Sequence, residues 1–110
     1  MSERRLTPRG AERRAQLIAY ATERFAAVGY HPTSVADIVD ALGVGKGVFY
    51  WYFSSKEELF VEILRTAQKE LRRSQLRAIE DQGDPVRRLE LGIRAGVLWM
   101  AEHNRERKLF

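Results

Sequence analysis

Apolar residues recur along the chain at spacings of three and four, which is the period of an amphipathic α-helix. No window alternates apolar and polar positions long enough to predict a strand, so we expect an all-α fold. A first helix is predicted from Thr7-Pro8, a capping residue before proline, to Gly29. A second begins at Ser34 and ends at Gly43. Their predicted buried positions are Leu17, Ile18, Ala21, Phe25 and Val28 in the first helix, and Val35, Ile38, Val39 and Leu42 in the second.

Three further helices are predicted. The third starts around Gly45 and runs through an aromatic stretch. The fourth starts at Ser55, which has full capping-box spacing with Glu58, and reaches towards Gln82. The fifth opens at Asp84-Pro85. The predicted apolar faces of the last two are Leu59, Phe60, Ile63, Leu64, Ala67 and Leu71, and Leu89, Ile93, Val97, Leu98 and Trp99.

The second and third helices are separated only by a short turn that contains Gly43. This spacing suits a helix-turn-helix, in which the first helix braces the second against the major groove of DNA. An ordinary corner between two helices is the alternative, and it is common in all-α proteins.

Five consecutive aromatic residues lie in the stretch VGKGVFYWYF. At about 100° per residue, Phe49 and Phe53 share one face of the third helix, which we expect to be buried. Gly47, Tyr50 and Trp51 cluster on the opposite side. The tyrosine hydroxyl and the indole N–H can both donate to phosphate oxygens. The alternative is that Tyr50 and Trp51 pack under the fourth helix.

Further candidates for DNA contacts flank this stretch. Lys46 can reach a guanine edge or a phosphate, and Gly47 lets the backbone approach a groove wall. Helix starts with open N–H groups can bind phosphate, and each also has a plain capping interpretation. The candidates at helix starts are Thr33 and Ser34 for the second helix, and Ser54, Ser55 and Lys56 for the fourth.

Length and composition allow one domain of 110 residues, or one small domain and part of another, with 45% hydrophobic residues. The chain has no cysteine, which excludes disulfides and thiolate sites and favours a reducing, cytoplasmic compartment. The basic amino terminus lacks the apolar core of a signal peptide. The longest apolar window, residues 91–101, is interrupted by Arg94 and too short to span a bilayer.

The formal net charge of +4 favours a polyanionic partner. The first fourteen residues carry five arginines against two glutamates. We expect Arg4, Arg5 and Arg9 to add phosphate or minor-groove contacts, and a solvated arm is the alternative. The two histidines, His31 and His103, have no accompanying catalytic or metal-binding motif, so we expect no enzyme activity, metal or cofactor.

Four pieces of the chain, in order and without gaps, resemble the DNA-binding region of the TetR family of bacterial transcriptional regulators. They are QLIAYATERFAAVG from Gln16, TSVADIVDALG from Thr33, VGKGVFYWYF from Val44 and SSKEELFVEIL from Ser54. Together they cover nearly half of the chain, and the ordered set is specific.

The resemblance implies a three-helix, homeodomain-like helix-turn-helix domain at residues 1–54. Residues 55–110 would begin an all-helical domain for ligand binding and dimerisation, and we expect further helices after residue 110. The implied function is a sequence-specific transcriptional regulator, a repressor released by a small-molecule ligand. Its implied partners are an operator in double-stranded DNA, a second copy in a homodimer and an unidentified effector, with no membrane.

Individual roles also follow from the resemblance. The family makes base-edge contacts at the positions of Lys46 and Gly47, with Val48 beside them. Its phosphate contacts fall on Tyr50 and Trp51, and further ones on Thr33, Ser34 and Lys56. The chain departs from the family pattern at Gly45 for a capping serine, Val48 for threonine, Trp51 for tyrosine and Val39 for alanine.

Two interpretations of other segments stay open. Leu89, Ile93, Val97 and Trp99 could begin the lining of a ligand pocket, although we expect an apolar helical stripe to be core. A helical module that binds a protein through the aromatic segment 49–53 is the alternative function. Salt separates it from DNA binding, which weakens steeply as salt rises.

Overall fold

The computed structural model describes residues 6–109, and within that range the chain forms helices and no strand, which confirms the all-α prediction. The helices are α1 (Pro8–Val28), α2 (Val35–Leu42), α3 (Lys46–Tyr52), α4 (Lys56–Ile79), α5 (Pro85–Glu102) and α6 (Asn104–Arg107). The chain divides into two compact units, one ending at Val61 and one starting at Glu62. The predicted domain boundary after residue 54 stays a prediction.

Helix α1 begins and ends where the sequence predicts. The side chain of Thr7 accepts a hydrogen bond from the Gly10 amide at 3.0 Å, and Pro8 occupies the first turn. Gly29 ends the helix at a φ of 102°, which a residue with a side chain rarely adopts.

The buried face of α1 is formed by Leu17, Ala21 and Phe25. Val28, predicted to be buried, is instead 43% exposed. It is the last helical residue before the turn at Gly29, so the chain leaves the helix there. The buried Thr22 hydroxyl donates to the Ile18 carbonyl at 2.7 Å, which removes the cost of burying it without a partner.

Helix α2 packs through Ile38 and Val39, and Gly43 ends it in the left-handed conformation at φ 69°. The buried side chains of the first unit come from α1, α2, α3, the start of α4 and the α1–α2 and α3–α4 connections: Leu17, Ala21, Thr22, Phe25, Thr33, Ile38, Val39, Phe49, Phe53 and Leu59. The first unit therefore has one apolar core that holds α3 in place.

The start of α4 differs in one respect from the predicted capping box. The Ser55 hydroxyl accepts from the Glu58 amide at 3.0 Å, as predicted. The Glu58 carboxylate, however, accepts from the amide of Ser54 at 2.9 Å and from the Ser54 hydroxyl. It therefore closes the turn one residue earlier than a standard box.

In the second unit, α4 ends at Ile79 rather than near Gln82. The guanidinium of Arg88 donates to the carbonyls of Ile79 at 3.0 Å and Gln82 at 2.9 Å. A cation on the last carbonyls satisfies acceptors that the helix leaves open. Asp84 then caps α5 by accepting from the Val86 amide at 3.4 Å.

The apolar stripe of α5 does not form a core, contrary to our expectation. Leu89, Ile93 and Val97 are 66%, 58% and 64% exposed, and of the four residues in that prediction only Trp99 is buried. The glycines of α5 take the contact with α4 instead. A Cβ added to Gly96 would lie 2.8 Å from the side-chain nitrogen Nε2 of Gln75, and one added to Gly92 would lie 3.8 Å from Ile79 Cγ2.

Candidate nucleic-acid interface

The turn between α2 and α3 is fixed by backbone hydrogen bonds. The amide of Gly43 donates to the Asp40 carbonyl at 3.2 Å, and the amide of Val44 donates to the Val39 carbonyl at 3.0 Å. These bonds satisfy the end of α2 while Gly43 reverses the chain. Helix α3 begins three residues after Gly43, so the α2–α3 pair has the short connection of a helix-turn-helix.

Helix α3 has one buried and one exposed face, as its helical spacing predicts. Phe49 and Phe53 are completely or almost completely buried, and their ring centres lie 5.8 Å apart. Tyr50 and Trp51 are 52% and 58% exposed. This exposure argues against the alternative in which both rings pack under α4. The buried pair therefore anchors α3, and the two polar-tipped rings face outward.

The amino-terminal turn of α3 is also open to solvent. Lys46 and Gly47 are exposed, and Val48 is half-buried. Apart from the adjoining residues and the backbone of α3 itself, no described atom lies within 4 Å of a Cβ added to Gly47 or to Gly45. A flat surface such as a groove wall can thus approach the backbone closely here, with the Lys46 ammonium at its edge.

Gly45 occupies the capping position of α3 and makes no side-chain hydrogen bond to the helix. The Val48 amide donates to the Gly45 carbonyl at 3.1 Å, which leaves the amides of Lys46 and Gly47 to solvent or to a ligand.

Ser34 forms a reciprocal capping box with Asp37 at the start of α2. Its hydroxyl accepts from the Asp37 amide at 3.0 Å, and its amide donates to the Asp37 carboxylate at 2.9 Å. Hydrogen bonding of its carboxylate to the Ser34 amide, and secondly to the Ser34 side chain, lowers the pKa of Asp37 below its ordinary value. A carboxylate already complements the positive end of this helix, so a phosphate bound beside Ser34 would meet its negative charge.

Thr33 and Lys56 are less exposed to solvent than the phosphate-contacting roles implied by the resemblance would require. Thr33 is fully buried, and its hydroxyl donates to the Gly29 carbonyl at 2.8 Å. The half-buried Lys56 donates through Nζ to the carbonyls of Tyr30 and Thr33, both at 2.9 Å. Their DNA-binding roles stay predictions that this geometry does not favour.

Ser54 and Ser55, which precede α4, are also engaged in hydrogen bonds within the chain, both of them with Glu58. The hydrogen bonds from the Ser54 hydroxyl and amide lower the pKa of Glu58, which keeps this carboxyl charged. A carboxylate at this helix start has the same effect as Asp37 at α2, because it takes the place that an incoming phosphate would use.

The basic arm is only partly within the described range. Arg9 lies exposed in the first turn of α1, whereas Arg4 and Arg5 lie outside the described residues. Arg14, which sequence reasoning did not single out, lies with its guanidinium carbon 5.0 Å from the centre of the Phe53 ring. A cation over an aromatic face is stabilising, and here it covers one of the anchors of α3.

Two more contacts of the first unit carry no local sequence signal. A Cβ added to Gly10 would lie 3.4 Å from the hydroxyl oxygen of Tyr52, so the end of α3 lies against the first turn of α1. The ring of Tyr30 lies 5.3 Å from Phe25 and 4.7 Å from Phe60, centre to centre. Partial burial raises the pKa of Tyr30, and the charge of Glu57 raises it further.

The histidines are engaged in ring contacts. His31 is exposed and lies edge-on to Tyr30, while His103 stacks on Trp99 with ring centres 4.0 Å apart. Among residues 6–109, no group of three or more histidine, aspartate or glutamate residues is placed to hold a metal ion. Within the same range, no helix is long and apolar enough to cross a bilayer.

The weak ligand-binding candidates divide between two environments. Ile93 and Val97 line an open groove of about 500 Å³ in the second unit, and Leu89 and Trp99 are not part of its lining. The groove is completed by Leu71, Gln75, Gly96, Met100, Ala101 and Arg107. A ligand role for these positions stays a prediction.

Comparison with known proteins identifies the same region of the chain. The family model described as "Bacterial regulatory proteins, tetR family" matches residues 17–63. The chain is 37% identical over 84 residues to the HTH-type transcriptional activator FasR of Mycolicibacterium smegmatis, a match covering 76% of the chain and 38% of FasR. It is 33% identical over 98 residues to the probable acrEF/envCD operon repressor of Escherichia coli, covering 87% of the chain and 44% of that protein.

Among solved structures, the ketosteroid transcriptional regulator KstR2 of Mycobacterium tuberculosis superposes with a TM-score of 0.77 and 30% sequence identity, over 88% of the chain and 50% of KstR2. The chain thus spans about half or less of the length of these relatives. The sequence match and the relatives agree, and residues 17–63 of the chain belong to the TetR family of bacterial regulatory proteins.

Proposed function

We propose that this chain is the DNA-binding part of a transcriptional regulator, and that α3 enters the major groove of double-stranded DNA. The observation that carries the proposal is the division of α3 into two faces. Phe49 and Phe53 are buried, while Lys46, Tyr50 and Trp51, whose side chains carry an ammonium, a hydroxyl and an indole N–H, are exposed. All three groups are hydrogen-bond donors, which is what phosphate and guanine acceptors require.

The exposed residues have different roles in this proposal. Lys46 reaches a guanine edge or a phosphate from the first turn of α3, and Gly47 lets the backbone come close. Val48 offers only an apolar contact, such as to a thymine methyl group. Tyr50 and Trp51 donate to phosphates on either side and set the orientation of the helix. Ser34 and the exposed Arg9 add weaker contacts to the backbone of the DNA.

The regulatory part of the proposal rests on the relatives. The names of the relatives include both an activator and repressors, and we propose a repressor that a small molecule releases. We further propose that the protein binds as a homodimer to half-sites about one helical turn apart, or a multiple of it. The effector must bind the DNA-incompetent state more tightly, because otherwise it cannot shift the equilibrium. Such a regulator acts in the cytoplasm, where its operator is, and we propose no enzyme activity.

A protein-interaction module built on residues 49–53 is less well supported. Of the five rings in this segment, Phe49 and Phe53 are buried and Tyr52 is half-buried. Only Tyr50 and Trp51 remain as a substantial surface, and both carry polar tips. Two such rings beside an exposed lysine suit a polyanion better than the apolar centre of a protein interface.

Fluorescence anisotropy on short, random-sequence duplexes tests the proposal. Affinity is measured at several salt concentrations for the natural chain and for a Lys46→Ala, Tyr50→Phe double variant. A variant with Lys69→Ala and Tyr20→Phe is the matched control, since it loses the same charge and the same hydroxyl on other helices.

We expect affinity that falls steeply with salt, and a weaker affinity with a shallower salt dependence for the double variant. The matched control should bind like the natural chain. Equal losses in both variants would show a non-specific charge effect and contradict a role for the exposed face of α3. Binding that does not respond to salt would favour the protein-interaction module.

A further inference from the structure

Lys56 is held on three sides by its own chain. Its Nζ donates to the carbonyl of Tyr30 and to that of Thr33, each at 2.9 Å, and it lies 4.1 Å from the centre of the Tyr30 ring. An ammonium has three donors and no acceptor capacity. Two donors thus point at carbonyls, and the remaining side of the charge faces the ring.

The loop that Lys56 contacts is stabilised by hydrogen bonds between its own residues. The Thr33 amide donates to the Tyr30 carbonyl at 3.2 Å, and the Thr33 hydroxyl donates to the Gly29 carbonyl at 2.8 Å. Thr33 is fully buried. The carbonyls of Tyr30 and Thr33 therefore form an acceptor site at the carboxyl end of α1, where a cation is favourable.

The Tyr30 ring is fixed as well. Phe25 from α1 and Phe60 from α4 lie 5.3 and 4.7 Å from it, and these two rings lie 5.5 Å from each other. The aromatic cluster joins the end of α1 to the first turns of α4. Lys56 closes this cluster on its polar side, and we refer to Lys56 with Tyr30 and Thr33 as the Lys56 clamp.

We propose that Lys56 is a positioning residue for DNA binding rather than a phosphate contact. The clamp ties the first residue of α4 to the loop that immediately precedes Ser34, the capping residue of α2. It thereby fixes where α2 starts, and α2 leads through the Gly43 turn into α3. The inference rests on the proposed function, because its consequence for binding requires that α3 contacts DNA.

The two roles predict different responses to salt. A direct phosphate contact releases counterions, so losing it lowers the slope of log affinity against log salt by about 0.9. A positioning residue changes the affinity but leaves the number of phosphate contacts, and hence the slope, unchanged. Lys56→Met removes the ammonium and keeps an unbranched apolar stem. Lys46→Met removes an exposed ammonium of α3 in the same way and is the matched control.

Both variants are compared with the natural chain on short random duplexes, at a temperature where far-UV circular dichroism shows all three folded. We expect Lys56→Met to bind about tenfold more weakly with an unchanged slope. Lys46→Met should show the reduced slope. An unchanged affinity for folded Lys56→Met would mean that the clamp has no positioning role, and a slope reduced by about 0.9 would make Lys56 a phosphate contact.

Amide hydrogen exchange without DNA provides a second readout. Loss of the clamp should speed exchange of the Thr33 amide by at least about tenfold in Lys56→Met and leave it unchanged in Lys46→Met. Unaltered Thr33 exchange in Lys56→Met would overturn the proposal. Because this arm needs no DNA, it tests the clamp even if the natural chain does not bind duplexes, which would instead refute the proposed function.

Discussion

Ser34 and Gly45 begin the two helices of the helix-turn-helix in different ways. Ser34 exchanges two hydrogen bonds with Asp37, whereas Gly45 offers no side chain to the amides of α3. Gly45 has an extended backbone conformation, with φ −90° and ψ 165°, and open space around its α-carbon. A serine fits this position without strain and can accept a bond from the helix.

Gly45→Ser should therefore stabilise the chain by about 0.3 kcal/mol, because serine caps a helix slightly better than glycine. Gly45→Ala fills the same space without a capping oxygen and should destabilise it. Urea denaturation followed by circular dichroism measures both changes in the free energy of unfolding. A stabilising alanine would show that the cap of α3 contributes nothing.

Asp37 makes the stability of the first unit sensitive to acid. The hydrogen bonds from Ser34 lower its pKa in the folded state, so the folded chain binds fewer protons than the unfolded chain near that pKa. Its contribution is present above the unfolded pKa, near 4, and is lost as pH falls through the folded pKa.

Asp37→Asn should accordingly lower the melting temperature at neutral pH, and the difference from the natural chain should shrink as the pH falls below about 4. Asp40→Asn, which removes a carboxylate of the same helix outside the capping box, controls for net charge. A difference for Asp37→Asn that persists unchanged into strong acid would contradict this assignment.

At the scale of single residues, local contacts could be predicted from the sequence and distant ones could not. The burial of Phe49 and Phe53 follows from helical spacing alone. The bond from Lys56 to Tyr30 joins residues 26 positions apart, and no local pattern encodes it. Their place at helix starts and the resemblance both predict phosphate contacts for Thr33 and Lys56, whereas the structure places them inside the Lys56 clamp.

At the scale of elements, α1 and α2 could be predicted almost to the residue, because Thr7, Gly29, Ser34 and Gly43 supply standard capping signals. Helix α5 shows where this reasoning fails. An aliphatic stripe predicts an apolar face but not which neighbour covers it, and here Gly92 and Gly96 meet α4 instead. The short helix α6 was not predicted, since four residues carry too little periodicity.

Truncation of a side chain should destabilise the chain far more on the buried face of α3 than on the exposed face. Phe49→Ala removes a completely buried ring and should destabilise the chain by about 3–5 kcal/mol. Tyr50→Ala removes a half-exposed ring whose centre lies 5.2 Å from that of Phe49, so its cost should stay below about 1.5 kcal/mol.

Denaturant unfolding of both variants, followed by circular dichroism, measures these two changes. Phe53→Ala is the companion for Phe49→Ala, since it removes the second anchor of the same face. Comparable losses for Tyr50→Ala and Phe49→Ala would mean that α3 has no outward face, and the DNA-binding proposal would lose its structural basis.

At the scale of the whole molecule, the chain carries a net charge of +4 and contains a complete three-helix region in its first unit. Charge alone predicts attraction to any polyanion, and the family adds that DNA is the partner to test. Binding through α3 differs from general attraction in where the DNA lies on the protein surface. The sequence does not show which side chains are exposed, so it could not decide between the two.

The most direct measurement is NMR mapping of the backbone amides while a short duplex is added. The proposed function predicts that shifts concentrate in α3, from Lys46 to Trp51, and around Ser34, with little change along α5. Shifts spread evenly over the basic residues, or concentrated on α5 while α3 is unaffected, would contradict the proposal that the exposed face of α3 binds DNA.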